Sequence, residues 1–132
     1  MQTIKKNFIF ITLILAPFAY FMSFFQFTAD ATISQVLVLI ILYPTAEELF
    51  FRGMVQPAIK RYLSFEFFLI SISNVITSLF FATTHLIYHS PLDALLTFFP
   101  SLAFGYCQDR YSDIRFPIGL HSYYNLLYFF FI

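Results

Sequence analysis

Apolar residues run along the chain in long blocks, without the one-sided helical or strictly alternating patterns of soluble elements. Five near-uncharged stretches stand out: Phe8–Phe27, Ile33 to about Gln56, Phe67–Ile87, Leu92–Gln108 and Phe116–Ile132. A helix needs about 20 predominantly apolar residues to cross a bilayer, and the five stretches reach or approach that length. Polar breaks separate them at Thr28-Ala-Asp30, Lys60-Arg61, Tyr88-His-Ser-Pro91 and Asp109 to Arg115. The pattern predicts an all-α, polytopic membrane helix bundle with about five transmembrane helices.

The basic residues orient that bundle. Lys5 and Lys6 precede the first stretch, Lys60 and Arg61 follow the second, and Arg110 and Arg115 lie between the fourth and fifth. With five spans all six fall on one side, whereas the other side carries Asp30, His89 and Asp93 and no Lys or Arg. The positive-inside rule then predicts a cytoplasmic amino terminus and an external carboxy terminus. The first stretch has a second reading as a signal peptide, because Ala29-Asp30-Ala31 has the small-x-small form of a cleavage site. Its apolar run of about 20 residues exceeds the usual 7–15 of a signal core, which favours a retained helix.

Composition agrees and narrows the function. The chain is 60% hydrophobic and 23% aromatic but only 11% charged, against about 25% charged in soluble domains. Zero net charge and seven Lys plus Arg give no footprint for nucleic acid. A lone cysteine, Cys107, excludes an internal disulfide and any multi-cysteine metal site. It carries no sequence mark of a nucleophile and reads as a packing or lipid-facing residue. Asp109 and Asp113, flanked by Arg110 and Arg115, read as a solvated ion-pair cluster in a loop, and His89 as a loop residue.

Against this background the run Tyr43-Pro-Thr-Ala-Glu-Glu-Leu-Phe-Phe-Arg52 is out of place. Each ionised side chain in lipid costs roughly 2.5–3.5 kcal/mol on insertion scales, so such residues mark candidate sites. Helical positions four apart share a face, which stacks Glu48 on Arg52 as an ion pair. Glu47 lies about 100° away, without a partner on its own helix, and is free to act as a base. His85 ends the third stretch one turn after Phe81, while His121 and Asn125 share one face of the fifth. Together these residues supply a base for water, a histidine to position it and donors for an oxyanion.

Three motifs in order carry a resemblance: Glu47-Glu48-x-x-x-Arg52, Phe81-x-x-x-His85 and His121-x-x-x-Asn125, with Gly53 directly after the arginine. They resemble the signatures of the CPBP intramembrane proteases, also called the CAAX protease or Abi family. The resemblance covers Ile33–Ile132 as a protease core and leaves residues 1–32 as an added transmembrane helix and loop. It implies an intramembrane endopeptidase in which Glu47 activates water with His85. His121 and Asn125 would form the oxyanion hole, and Glu48 and Arg52 would orient the site. No cofactor is favoured; a zinc alternative would use Glu47, His85 and His121 as ligands with an open fourth position. The implied substrate is a membrane-associated protein with a short hydrophobic or lipidated carboxy-terminal segment, in a bacterial inner membrane.

Two readings from other classes compete: a non-catalytic immunity or scaffold protein of the same fold, and a proton-coupled small transporter, since buried Glu and His also build proton relays. Intact motif residues argue against a decayed enzyme. The oligomeric state is unreadable, with no Gly-x-x-x-Gly face. Depth poses the main difficulty. At 1.5 Å per residue His121 lies about 8 Å into its span and His85 about 27 Å into its own, from the same side. Convergence therefore requires tilted, broken or re-entrant helices, with Pro57, Pro91 and Pro100 as places to break.

Overall fold

The computed structural model describes residues 32–131, so the first apolar stretch, its signal-peptide alternative, Lys5, Lys6 and Asp30 lie outside the described residues. A single continuous helix, α1 (Ile33–Lys60), opens the described part. Thr32 caps it: its hydroxyl accepts from Gln35 N–H, and the Gln35 side chain accepts from Thr32 N–H at 2.9 Å. Two π-turns widen α1, at Val38–Leu42 and Phe51–Val55. Each ends two residues before a proline, Pro44 and Pro57. A proline ring clashes with the carbonyl four residues back, and a widened turn relieves that clash without breaking the helix. Pro57 is therefore absorbed within α1 and does not end it.

After α1 the chain makes a short antiparallel hairpin, β1 (Glu66–Phe67) and β2 (Ile70–Ser71). Then come α2 (Ile72–His85), α3 (Pro91–Leu96), α4 (Phe98–Tyr111) and α5 (Arg115–Phe131). The fold is thus mainly helical, with differences from the expected stretches. Phe67–Ser71 belongs to the hairpin, because Ser71 caps α2 by accepting from Asn74 N–H at 3.1 Å. Leu92–Gln108 is split at Thr97. Pro91 opens α3 and Pro100 falls in the first turn of α4, where prolines are tolerated. Four of the expected spans fall in the described residues. One of them, α1, forms a helix long and apolar enough to cross a membrane, by length and composition. At 14 residues each, α2 and α4 are only about 21 Å long.

α4 packs between α2 and α5, while α1 lays its second half on α2 and its first half on α5. Asp109 is not in a loop. It lies in the last turn of α4, where it accepts from Lys60 Nζ at 2.7 Å and from the Ser71 hydroxyl. That contact ties the ends of α1 and α4 to the start of α2, so Lys60, Arg61 and Arg110 share one end of the bundle. Asp113 in the α4–α5 loop accepts from the N–H and the guanidinium of Arg115, which holds its carboxyl down at about 2.

The interior is a seam of polar side chains among aromatic ones. Phe51, Phe81, Phe104, Tyr106 and Cys107 are buried beside Gln56, Ser73, Asn74, Thr77, Ser78 and Ser101. Cys107 is thus a packing residue. Gln56 Nε2 donates to Gly105 O at 3.0 Å, Asn74 Nδ2 to Leu102 O at 2.9 Å, and Ser78 Oγ to Asn74 Oδ1 at 3.1 Å. Where apolar packing against lipid gives little drive, close approach and interhelical hydrogen bonds hold helices together. Gly105 permits that approach. A Cβ there would collide with the Asn74 side chain and lie 2.8 Å from Gln56 Oε1. Gly105→Ala is expected to lower thermal stability in detergent by an overpacking cost of about 1–3 kcal/mol or more. Gly119→Ala, whose Cβ meets nothing within 4 Å, is expected to leave it unchanged or raise it slightly.

Candidate active site

The second half of α1's charged run sits in the driest part of the bundle. Glu48 and Arg52 are both 0% exposed, and Arg52 Nε lies 3.3 Å from Glu48 Oε2. That contact is a charge pair rather than an aligned hydrogen bond, since neither atom has a hydrogen-bond partner. Arg52 spends its donors on α4: Nη2 bonds Ser101 O at 2.6 Å and Ser101 Oγ at 2.5 Å. Its guanidinium also lies over the Phe81 ring at 5.4 Å and within 6.0 Å of Phe51 and Phe104, a favourable arrangement for a delocalised cation.

Glu48 reaches across to α5 as well. His121 Nδ1 is 2.8 Å from Glu48 Oε1. An ionised carboxylate only accepts, so Nδ1 carries the proton and Nε2 is the other ring atom left to react. Nε2 lies 3.7 Å from Glu47 Oε2. Phe104 stacks on the His121 ring with centroids 4.6 Å apart, and Phe81 meets it edge-on at 5.8 Å. On α2, His85 Nδ1 donates to Phe81 O at 2.9 Å, and the two rings pack at 4.4 Å. The Phe81-x-x-x-His85 spacing thus fixes both the orientation of the His85 ring and its tautomer, again leaving Nε2.

Glu47, Phe81, His85, His121 and Asn125 line one pocket of about 360 Å³. The difficulty over depth is eased because α2 begins at Ile72, five residues later than expected, which moves its start by about 8 Å. The break at Thr97 divides the fourth stretch into α3 and α4, which together line the pocket beside the motif helices. Glu48 and Arg52 lie behind the pocket wall. Asn125 is not free: its Nδ2 donates to Leu39 O of α1 at 2.9 Å, leaving its second N–H. The pocket occupies the half of the bundle away from the Lys60–Asp109 end, with residues from the start of α1 and the end of α5 on its walls.

The sequence missed several residues here. His89 and Asp93 also line the pocket. His89 stacks on His85 at 5.7 Å, so it is more than a loop residue. His89 lies in the turn after α2 and Asp93 on α3, so the helical spacing of four that links His121 to Asn125 does not carry over to them. Nothing in the sequence marks Ser101 or Phe104 as the partners of Arg52 and His121. Glu47, His85 and His121 share the pocket without forming a ligand set. Among the described residues, no three His, Cys, Asp or Glu side chains are gathered to hold a metal ion.

A family model described as type II CAAX prenyl endopeptidase, Rce1-like, matches residues 29–127, which contain all three motifs. No curated protein and no solved structure gives a significant match. Because Arg52 and Glu48 neutralise one another out of water, removing one strands the other. Arg52→Leu is expected to cost about 3–5 kcal/mol of stability, read by thermal unfolding in detergent. The double variant Glu48→Met with Arg52→Leu is expected to recover part of that loss. No recovery would contradict the pairing.

Proposed function

The chain belongs to the Rce1-like family of type II CAAX prenyl endopeptidases, and from that membership we propose an intramembrane endopeptidase with a glutamate-activated water. Membership itself makes it a membrane protease of the CAAX type. The finer reading assigns cleavage of a peptide bond near a hydrophobic or lipidated carboxy-terminal segment of a membrane-associated protein. The observation that carries it is that all four candidate catalytic side chains, from three helices, face one pocket.

Glu47, whose side chain is 35% exposed, takes a proton from a water that His85 Nε2 helps to position. The resulting hydroxide attacks the peptide carbonyl, and the negative charge on oxygen is met by the second amide N–H of Asn125 and by His121, which donates from Nε2 in its doubly protonated form while Nδ1–H stays on Glu48. Collapse breaks the C–N bond, and Glu47 passes its proton to the leaving amine. Glu48 and Arg52 orient this set and take no part in bond making. In this reading no step is routed through a metal.

The structure's basic end bears on sidedness. Lys60, Arg61, Arg110 and Arg115 mark the cytoplasmic side under the positive-inside rule. On that orientation the pocket opens in the outer half of the membrane, in what we take to be a bacterial inner membrane. Cleavage is to be read on a library of hydrophobic-tailed and prenylated peptides in vesicles. Glu47→Gln is expected to lower kcat by about 100-fold or more with thermal unfolding unchanged, and a chelator to leave the wild type unaffected. Loss with chelator would restore a metal mechanism, and full activity in Glu47→Gln would contradict the assignment.

A further inference from the structure

Asn125 reaches a carbonyl of α1 that helix geometry leaves without a donor. In the first π-turn, Tyr43 N–H bonds back five residues to Val38 O. The next bond in that register would run from residue 44 to Leu39 O, but residue 44 is proline and has no N–H. The α-type donor to Leu39 O would be Tyr43 N–H, which is already committed to Val38. Asn125 Nδ2 supplies a donor at 2.9 Å, from 86 residues away in the chain.

The register of that turn matters to the site. Glu47 and Glu48 come after Pro44 by three and four residues. One residue more or less in the turn rotates the remainder of α1 by about 100° around the helix axis. That would move Glu47 out of the pocket and Glu48 off His121. We propose that Asn125 is a positioning residue, which holds the Val38–Leu42 π-turn by supplying the donor that Pro44 lacks. The second amide N–H remains for the pocket, so this role is additional to any contact with the oxyanion.

The test is a double-mutant cycle between Pro44→Ala, which restores a backbone N–H at residue 44, and Asn125→Ala. Its activity arm rests on the protease reading. In the wild-type background Asn125→Ala lowers kcat with KM little changed, and in the Pro44→Ala background that loss is about tenfold smaller. An equal loss in both backgrounds, within about twofold, overturns the proposal and leaves Asn125 an oxyanion donor alone. A second arm needs no catalysis. The infrared band of an isotope-labelled Leu39 carbonyl moves to higher frequency in Asn125→Ala and returns toward its original position in the double variant. An unmoved band overturns the positioning role even if the chain cleaves no peptide, so the two failures are distinguishable. Should Asn125→Ala fail to fold, folding restored by Pro44→Ala supports the proposal, and failure in both backgrounds contradicts it.

Discussion

The Glu48 carboxylate is fully buried and holds two helices at once, with Arg52 of its own helix on one oxygen and His121 of α5 on the other. A charge in that position is tolerable only because each of its neighbours is itself anchored. Arg52 is fastened to Ser101 on α4 and seated among three phenyl rings; His121 is stacked on Phe104. Remove Arg52 or Glu48 and the other is left as a buried charge without its counter-ion. The rest of the site depends on this junction. Glu47, one residue earlier, is turned by about 100° into the pocket, where it meets the free nitrogen of the His121 ring.

Backbone irregularity serves the same end. A straight α-helix through Pro44 and Pro57 would set each ring against a carbonyl one turn back. The two π-turns accommodate both prolines and bracket the charged run, so the carboxylates occupy a regular segment between two widened ones. The polar seam of Gln56, Asn74, Ser78 and Gly105 then holds α1, α2 and α4 close enough for the pocket to form in the other half of the bundle. The hydrogen-bonded seam thus lies at one end of the bundle and the lined cavity at the other.

The helical class and the three motifs are legible because they depend on local rules: apolar length for the helices, and a spacing of four for Glu48–Arg52, Phe81–His85 and His121–Asn125. The Glu48–Arg52 pair can be derived from geometry alone, and the structure has it at 3.3 Å. The features that cannot be read are set by tertiary contact. The hairpin at Phe67–Ser71 depends on Ser71 being drawn to Asp109 of α4, and without that partner in view Asp109 reads as a loop residue. Ser101 and Phe104 carry no signature, since their importance comes from the groups opposite them. Pro44 does not stand out among the prolines because its effect is to widen a helix and not to end it. His89 is not legible from spacing, because the helix ends at His85 and the turn that follows brings His89 onto its ring.

The shared Glu48 carboxylate is the claim on which the account stands, and the protonation of His121 reports it directly. Nitrogen-15 spectra of the labelled His121 ring in lipid are expected to show Nδ1 protonated and strongly hydrogen bonded in the wild type. In Glu48→Gln that signature is expected to weaken, with the Nε2 environment beside Glu47 changing as well. A His121 ring protonated only at Nε2, or a spectrum indifferent to Glu48→Gln, would contradict the junction and the site built on it.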